Sequence, residues 1–118
     1  MFRQMRRIKQ AISQEECIEI LKNEPRGVLS VIGEEGYPYG MPLNHWYCEK
    51  DGKIYFHGAK EGHKIDAIKK YDKVSYCVFD KGYVKEGEWA LNIKSVVVFG
   101  KIKIVEDKEK TEEICRNL

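Results

Sequence analysis

Apolar positions recur along this chain with two spacings, and the switches between them mark the elements. Cys17, Ile18, Ile20 and Leu21 form a stripe at helical spacing. Ser13 stands before the stripe and Glu16 three residues on, a capping box in which the hydroxyl accepts from the Glu16 N–H and the carboxylate reaches back. Pro25 stops the pattern, so a helix is expected over residues 13–23, laid on a sheet as a lid. Gly27 to Gly33 (GVLSVIG) is short and rich in β-branched residues, the signature of a strand. Glu34, Glu35, Gly36 and Tyr37 make a hairpin turn. Pro38 to Glu49 reads as a second strand in which Pro42 marks an edge, a bulge or a bend. A second turn, Lys50 to Lys53, leads to a third strand, Ile54 to Ala59, and the three form a meander.

Helical spacing returns at Gly62 to Lys70, with Ile65 and Ile68 inward. Val74 to Asp80 is a fourth strand, and 81–92 has no clean period and reads as a loop carrying Trp89. Ser95 to Val105 (SVVVFGKIKIV) is a long strand with Gly100 as a bulge or barrel corner. Its first half is apolar on both sides, so both faces are expected to be covered, whereas its second half alternates and has one wet face. A last helix is expected over 106–118, with Ile114 and Leu118 on one face. Five short strands with helical decoration indicate a mainly β fold, a small antiparallel barrel. Such a barrel leaves edges that more chain or a partner must cover.

Composition narrows the function classes. The 118 residues suit one domain, 1–118, with a basic arm at 1–12. Lys and Arg number 21 against 19 Asp and Glu, so there is no general charge case for nucleic acid. No run approaches the roughly 20 apolar residues of a membrane helix. The chain start lacks the apolar core of a signal peptide, and a cytoplasmic location is expected. Cys17, Cys48, Cys77 and Cys115 are widely spaced with no CxxC, which suits reduced cysteines packed as small hydrophobes rather than zinc ligands.

The richest stretch for chemistry is Lys53 to Lys64, KIYFHGAKEGHK. Gly58 and Gly62 free the backbone for close approach, and a helix then opens with Lys64 in its first turn. N–H groups, the helix dipole and the lysine together suit a phosphate. An ordinary strand–turn–helix with a solvated lysine fits the same residues. Alternation puts His57 on the outer wall beside this corner, where it could bond a cofactor or ligate a metal or haem iron. Asn44, His45 and Trp46 follow the Pro42 kink, as ring-binding groups or as a strand end with core aromatics. No serine has a nucleophile setting, so any chemistry is more naturally a cofactor's.

GYPYGMPLNHWY, DGKIYFHGAKEGHKIDAIKKYDKVSYCV and SVVVFGKIKIV are similar to segments of the FMN-binding split-barrel superfamily. The pattern resembles its pyridoxamine-phosphate-oxidase-like branch, and within it the nitroimidazole-resistance (Nim-type) proteins. The resemblance implies a homodimer of six-stranded split barrels with FMN sites at the interface. It places Met41, Pro42, Leu43 and Asn44 along the flavin ring. His57, Gly58 and Ala59 would flank the ring and ribityl chain, and His63 and Lys64 would hold the phosphate. Trp89 and Ser95 would come from the second subunit. Relatives often carry Arg-Lys where this chain has His63-Lys64, and they usually continue through a further helix and strand. The activity implied is reduction of nitroaromatic compounds such as 5-nitroimidazoles, with His57 positioning or protonating the nitro group. The superfamily also has haem-binding branches, in which His57 would be the axial ligand, and members that bind pyridoxal or pyridoxamine phosphate.

Overall fold

A computed structural model describes residues 2–3, 5, 10–58 and 62–118. Arg6, Arg7 and Lys9 of the basic arm, and Ala59, lie outside the described residues. Helix α1 (Gln14–Asn23) is followed by strands β1 (Arg26–Ile32), β2 (Pro38–Cys48) and β3 (Lys53–Phe56). Helix α2 (His63–Lys70) then leads to β4 (Lys73–Phe79), β5 (Tyr83–Val84), β6 (Leu91–Asn92), β7 (Ser95–Lys101) and helix α3 (Lys108–Asn117). The main sheet is antiparallel, in the order β3-β2-β1-β4-β7. It is one strand short of the six that the resemblance implies. The expected loop at 81–92 instead contains a two-stranded ribbon, β5 with β6.

Capping residues set the helix ends. Ser13 Oγ accepts from the Glu16 N–H at 3.1 Å. The return half of the box does not form, because Glu16 pairs with Lys94 at 3.0 Å instead. Asp107 caps α3 by accepting from the Glu109 N–H at 3.0 Å. One face of the sheet packs on α1 and α2, where Ile20, Leu21, Ile65, Ala67 and Ile68 meet Leu29, Val31, Tyr76 and Val78. Burial of these side chains, each contributing about 1.5–3 kcal/mol, is the main stabilising term.

Pro42 pairs with Val28 on β1, while β3 takes up the other edge of β2 only from His45 onward. The proline thus sits where one edge of the strand is open, the place where a missing N–H costs no ladder bond. Gly100 makes no bulge: it pairs in register with Val74, and β7 ends one residue later. The KIKI pattern does not prolong the strand, since the Ile102 N–H turns to the Asp72 carbonyl at 2.9 Å. The expectation that both faces of β7 are covered fails within one chain. Val96 and Val98 meet the core, but Val97 and Phe99 are 51% and 57% exposed. On α3, Ile114 is buried and Leu118 is not. None of the four cysteines forms a disulfide. Among the described residues no helix is long and apolar enough to cross a membrane.

Candidate functional site

The site begins where β3 leaves the ladder. Phe56 turns into the core, edge-on to Tyr76 with ring centroids 4.8 Å apart, and pairs with His45 as the last rung. The strand ends at Phe56, short of the Ile54 to Ala59 span expected from the sequence, and Ala59 itself lies outside the described residues. His57 and Gly58 are exposed. Continuing the register would set Asn44 opposite His57 and Leu43 opposite Gly58.

The described chain resumes at Gly62, whose φ of 128° and ψ of 179° suit glycine alone. No side chain caps this helix start, and its first internal bond runs from the Asp66 N–H to the Gly62 carbonyl at 3.0 Å. Among the described residues the N–H groups of His63, Lys64 and Ile65 have no acceptor, at the positive end of the helix. The half-buried Lys64 folds back over the chain. A Cβ on Gly58 would lie 2.7 Å from its Nζ, so the ammonium packs against bare glycine backbone and a side chain there would displace it. His63 stacks on Tyr39 with ring centroids 4.4 Å apart, and its Nε2 is 3.1 Å from where a Cβ on Gly33 would stand. The helix start is therefore pinned to the β1–β2 turn. Among the described residues Asp66 is the one carboxylate in the first turn, and it is exposed. N–H groups, an ammonium and an imidazole carried on one helix start are groups of the kind that suits an anion.

On β2 the expected residues divide by face. Met41 and Leu43 pack against the core, so what they turn outward is main chain, while Pro42 and Asn44 are exposed. Asn44 Oδ1 accepts from Arg26 Nε at 2.8 Å, which fixes the amide and adds a guanidinium beside it. Ser95 begins β7 at the far edge of the sheet from β3, and Trp89, 95% exposed, stands on the ribbon loop. One chain's ladder does not bring either residue to the corner.

His45 is a core residue, not a ring-binding group. It is 7% exposed, and its Nε2 lies 2.7 Å from the Leu21 carbonyl, which can only accept. Nε2 must therefore carry the proton, leaving Nδ1 to accept from the Tyr76 hydroxyl at 2.6 Å. That phenol also lies 3.1 Å from the Leu43 carbonyl. Burial holds the imidazole below its ordinary pKa and pushes the Tyr76 phenol up. Leu21 is in the last turn of α1, so the ring caps a carbonyl that has no helical partner. Trp46 is also structural: it stacks on Tyr55 at 5.4 Å, and Lys110 of α3 stands over both rings.

Three residues at or near the corner escaped the sequence reading. Tyr39 lies inside the GYPYGMPL segment and could have been weighed as a stacking group. Arg26 follows Pro25 and would have needed the β1–β2 register. Cys115, whose Sγ is 3.7 Å from His57 Nδ1, had no sequence signal, being 58 residues away. Among the described residues no group of three or more His, Cys, Asp or Glu side chains is placed to hold a metal ion.

The family model described as pyridoxamine 5'-phosphate oxidase matches residues 13–118. The chain belongs to that family. Solved structures share its fold. A Bacteroides thetaiotaomicron protein named for 5-nitroimidazole antibiotic resistance superposes with a TM-score of 0.80 at 19% identity, over 91% of this chain and 64% of that one. A conserved hypothetical protein from Mycobacterium tuberculosis gives 0.81 at 18% identity, over 97% and 66%. An FAD-binding protein from Mesorhizobium loti gives 0.71 at 25% identity, over 89% and 72%. This member of the pyridoxamine 5'-phosphate oxidase family thus spans about two thirds of the length of those structures. No curated protein matches it.

Proposed function

We propose that the corner between β3 and α2 holds the phosphate of FMN, and that the protein is a flavin-dependent oxidoreductase acting on nitroaromatic compounds such as 5-nitroimidazoles. The observation that carries this reading is the cradle. The Lys64 ammonium lies against Gly58, where a Cβ would displace it, and among the described residues the N–H groups that open α2 have no acceptor. These residues fit a phosphate dianion by charge and by donor count. The FAD-binding and 5-nitroimidazole-resistance proteins of like fold support a flavin and a nitroaromatic substrate respectively.

His63 and Lys64 would hold the phosphate. His57, Gly58 and Ala59 would flank the ribityl chain and ring. Pro42 and Asn44 would meet the ring with side chains, Met41 and Leu43 with main chain. Flavin, when bound, supplies the electrons for nitro-group reduction. His57, exposed and beside the cradle, would orient the nitro group and deliver a proton to its oxygen. The exposed Val97 and Phe99 on β7 support a second copy as cover, and that copy would bring Trp89 and Ser95 to the site.

The test is an FMN titration of the purified protein, read by quenching of flavin fluorescence, with sedimentation run alongside. Saturable binding at one FMN per chain, by a species of two chains, is the expected result. No uptake of FMN and no flavin absorbance in the protein as purified would overturn it. The same absorption spectrum reads the haem alternative, in which His57 Nε2 would be the ligand because Nδ1 faces Cys115. A Soret band lost in His57→Ala would favour haem. A pyridoxal or pyridoxamine phosphate ligand would draw on the same phosphate cradle and would appear as competition with FMN.

A further inference from the structure

Helix α3 brings a thiol to the edge of the corner. Cys115 is exposed on its last turn, and its Sγ lies 3.7 Å from His57 Nδ1, within reach of a sulfur hydrogen bond. The two residues come from elements 58 positions apart, and the helix that carries the thiol is held down independently of the contact. Lys110 stands 4.7 Å over the Tyr55 ring and 5.7 Å over Trp46, and pairs with Asp51 at 3.6 Å and Glu113 at 2.9 Å. Ile114, the residue before Cys115, is buried. The thiol is thus presented to the imidazole by the packing of α3.

We propose that Cys115 and His57 form a thiol–imidazole couple, making Cys115 a site of selective modification by low-molecular-weight disulfides. His57 Nδ1 is placed to take up the S–H proton as Cys115 attacks, the thiolate being the form that attacks sulfur. The charges nearest the pair act in both directions. The carbonyl end of α3 disfavours an anion at Cys115, and Arg116 is a basic residue in the same last turn. In the reaction Cys115 Sγ attacks one sulfur of the disulfide. A new S–S bond forms, the old one breaks, and the proton held by His57 passes to the departing thiolate. Cys115 and one half of the reagent become a mixed disulfide as the other half is reduced to a thiol, so the electrons balance with no further reactant. Selectivity follows from placement: Cys48 is buried, and Cys17 and Cys77 are half-buried.

The experiment treats the reduced full chain, without flavin, with an aromatic disulfide whose thiol product is coloured. The labelled cysteine is identified by peptide mass. The expected result is one fast equivalent per chain, located at Cys115 and lost in Cys115→Ser, with His57→Gln slowing that phase about tenfold. Far-ultraviolet circular dichroism of both variants checks that they fold. Labelling first at Cys17, Cys48 or Cys77, or a His57→Gln rate within about twofold of the parent in a folded protein, would overturn the proposal. Because the assay contains no flavin, its failure is distinct from failure of the flavin reading.

Discussion

Two histidine settings lie a few residues apart and differ in what they leave over. At His45 every group is used. Leu21 takes the ring's proton, Tyr76 meets the other nitrogen, and the described residues hold no buried side-chain nitrogen or oxygen without a partner. At the His57–Lys64 corner the reverse holds. Backbone N–H groups, an ammonium and two exposed rings lie along this stretch, and among the described residues no acceptor is bonded to the N–H groups or to the ammonium. A buried polar group that is fully bonded stabilises and fixes a fold. A cluster of leftover donors at the surface has unused capacity, and that capacity is what a ligand can use. Residue type does not separate the two settings. The accounting of donors and acceptors does.

The sharpest way to break this contrast is to remove each ring in turn. His45→Ala is expected to lower stability by about 3 kcal/mol, from the cavity and from two groups left without partners. His57→Ala, at an exposed site, is expected to change it by no more than about 0.5 kcal/mol. Urea unfolding of both reads the difference, and equal losses would erase the distinction.

Acid sharpens it further. His45 is held below its ordinary pKa by burial, so the unfolded chain binds its proton more readily than the folded one. Stability from this group is therefore complete above the unfolded value of about 6.5 and falls as pH drops toward the lower folded value, by at most about 1.4 kcal/mol per pH unit. Urea midpoints at pH 7.5 and pH 5.5 should show this loss in the parent and not in His45→Gln.

Tyr76→Phe removes the hydroxyl that faces His45 and Leu43 and is expected to cost about 1.5 kcal/mol in the same assay. The smallest effect on stability is expected at the corner itself. Lys64→Ala should leave the urea midpoint nearly unchanged and weaken FMN binding about tenfold, read by fluorescence titration. A stability loss in Lys64→Ala equal to that of Tyr76→Phe would make the lysine a structural residue.

Much of the fold could be read from local pattern. Ser13, Pro25 and the 17–21 stripe mark α1 because caps and stops act over a few residues. Gly62 and the Ile65–Ile68 pair mark α2 in the same way. The hairpin turns at 34–37 and 50–53 follow from turn residues. What could not be read depends on neighbours distant in sequence. Whether β7 is covered on both faces depends on what packs against it, and Val97 and Phe99 look alike in sequence either way. At the site, Gly58, Gly62 and Lys64 were legible because backbone freedom and charge are written locally. His45 was not, because its role depends on Leu21 and Tyr76, and only the register of β2 against its neighbours places them together. Cys115 was hidden for the same reason.

The His45 ring also has a consequence for the order in which the chain assembles. Its partners lie 24 residues before it and 31 after it, so the bond that ends α1 closes two long loops. Loop closure costs entropy before any long-range contact rewards it. Helix α1 can form its first turns early under the Ser13 cap, but its last turn gains its partner only when β2 and β4 already flank β1. The amino-terminal helix is therefore expected to be among the last elements to lock, though it is among the first to be synthesised.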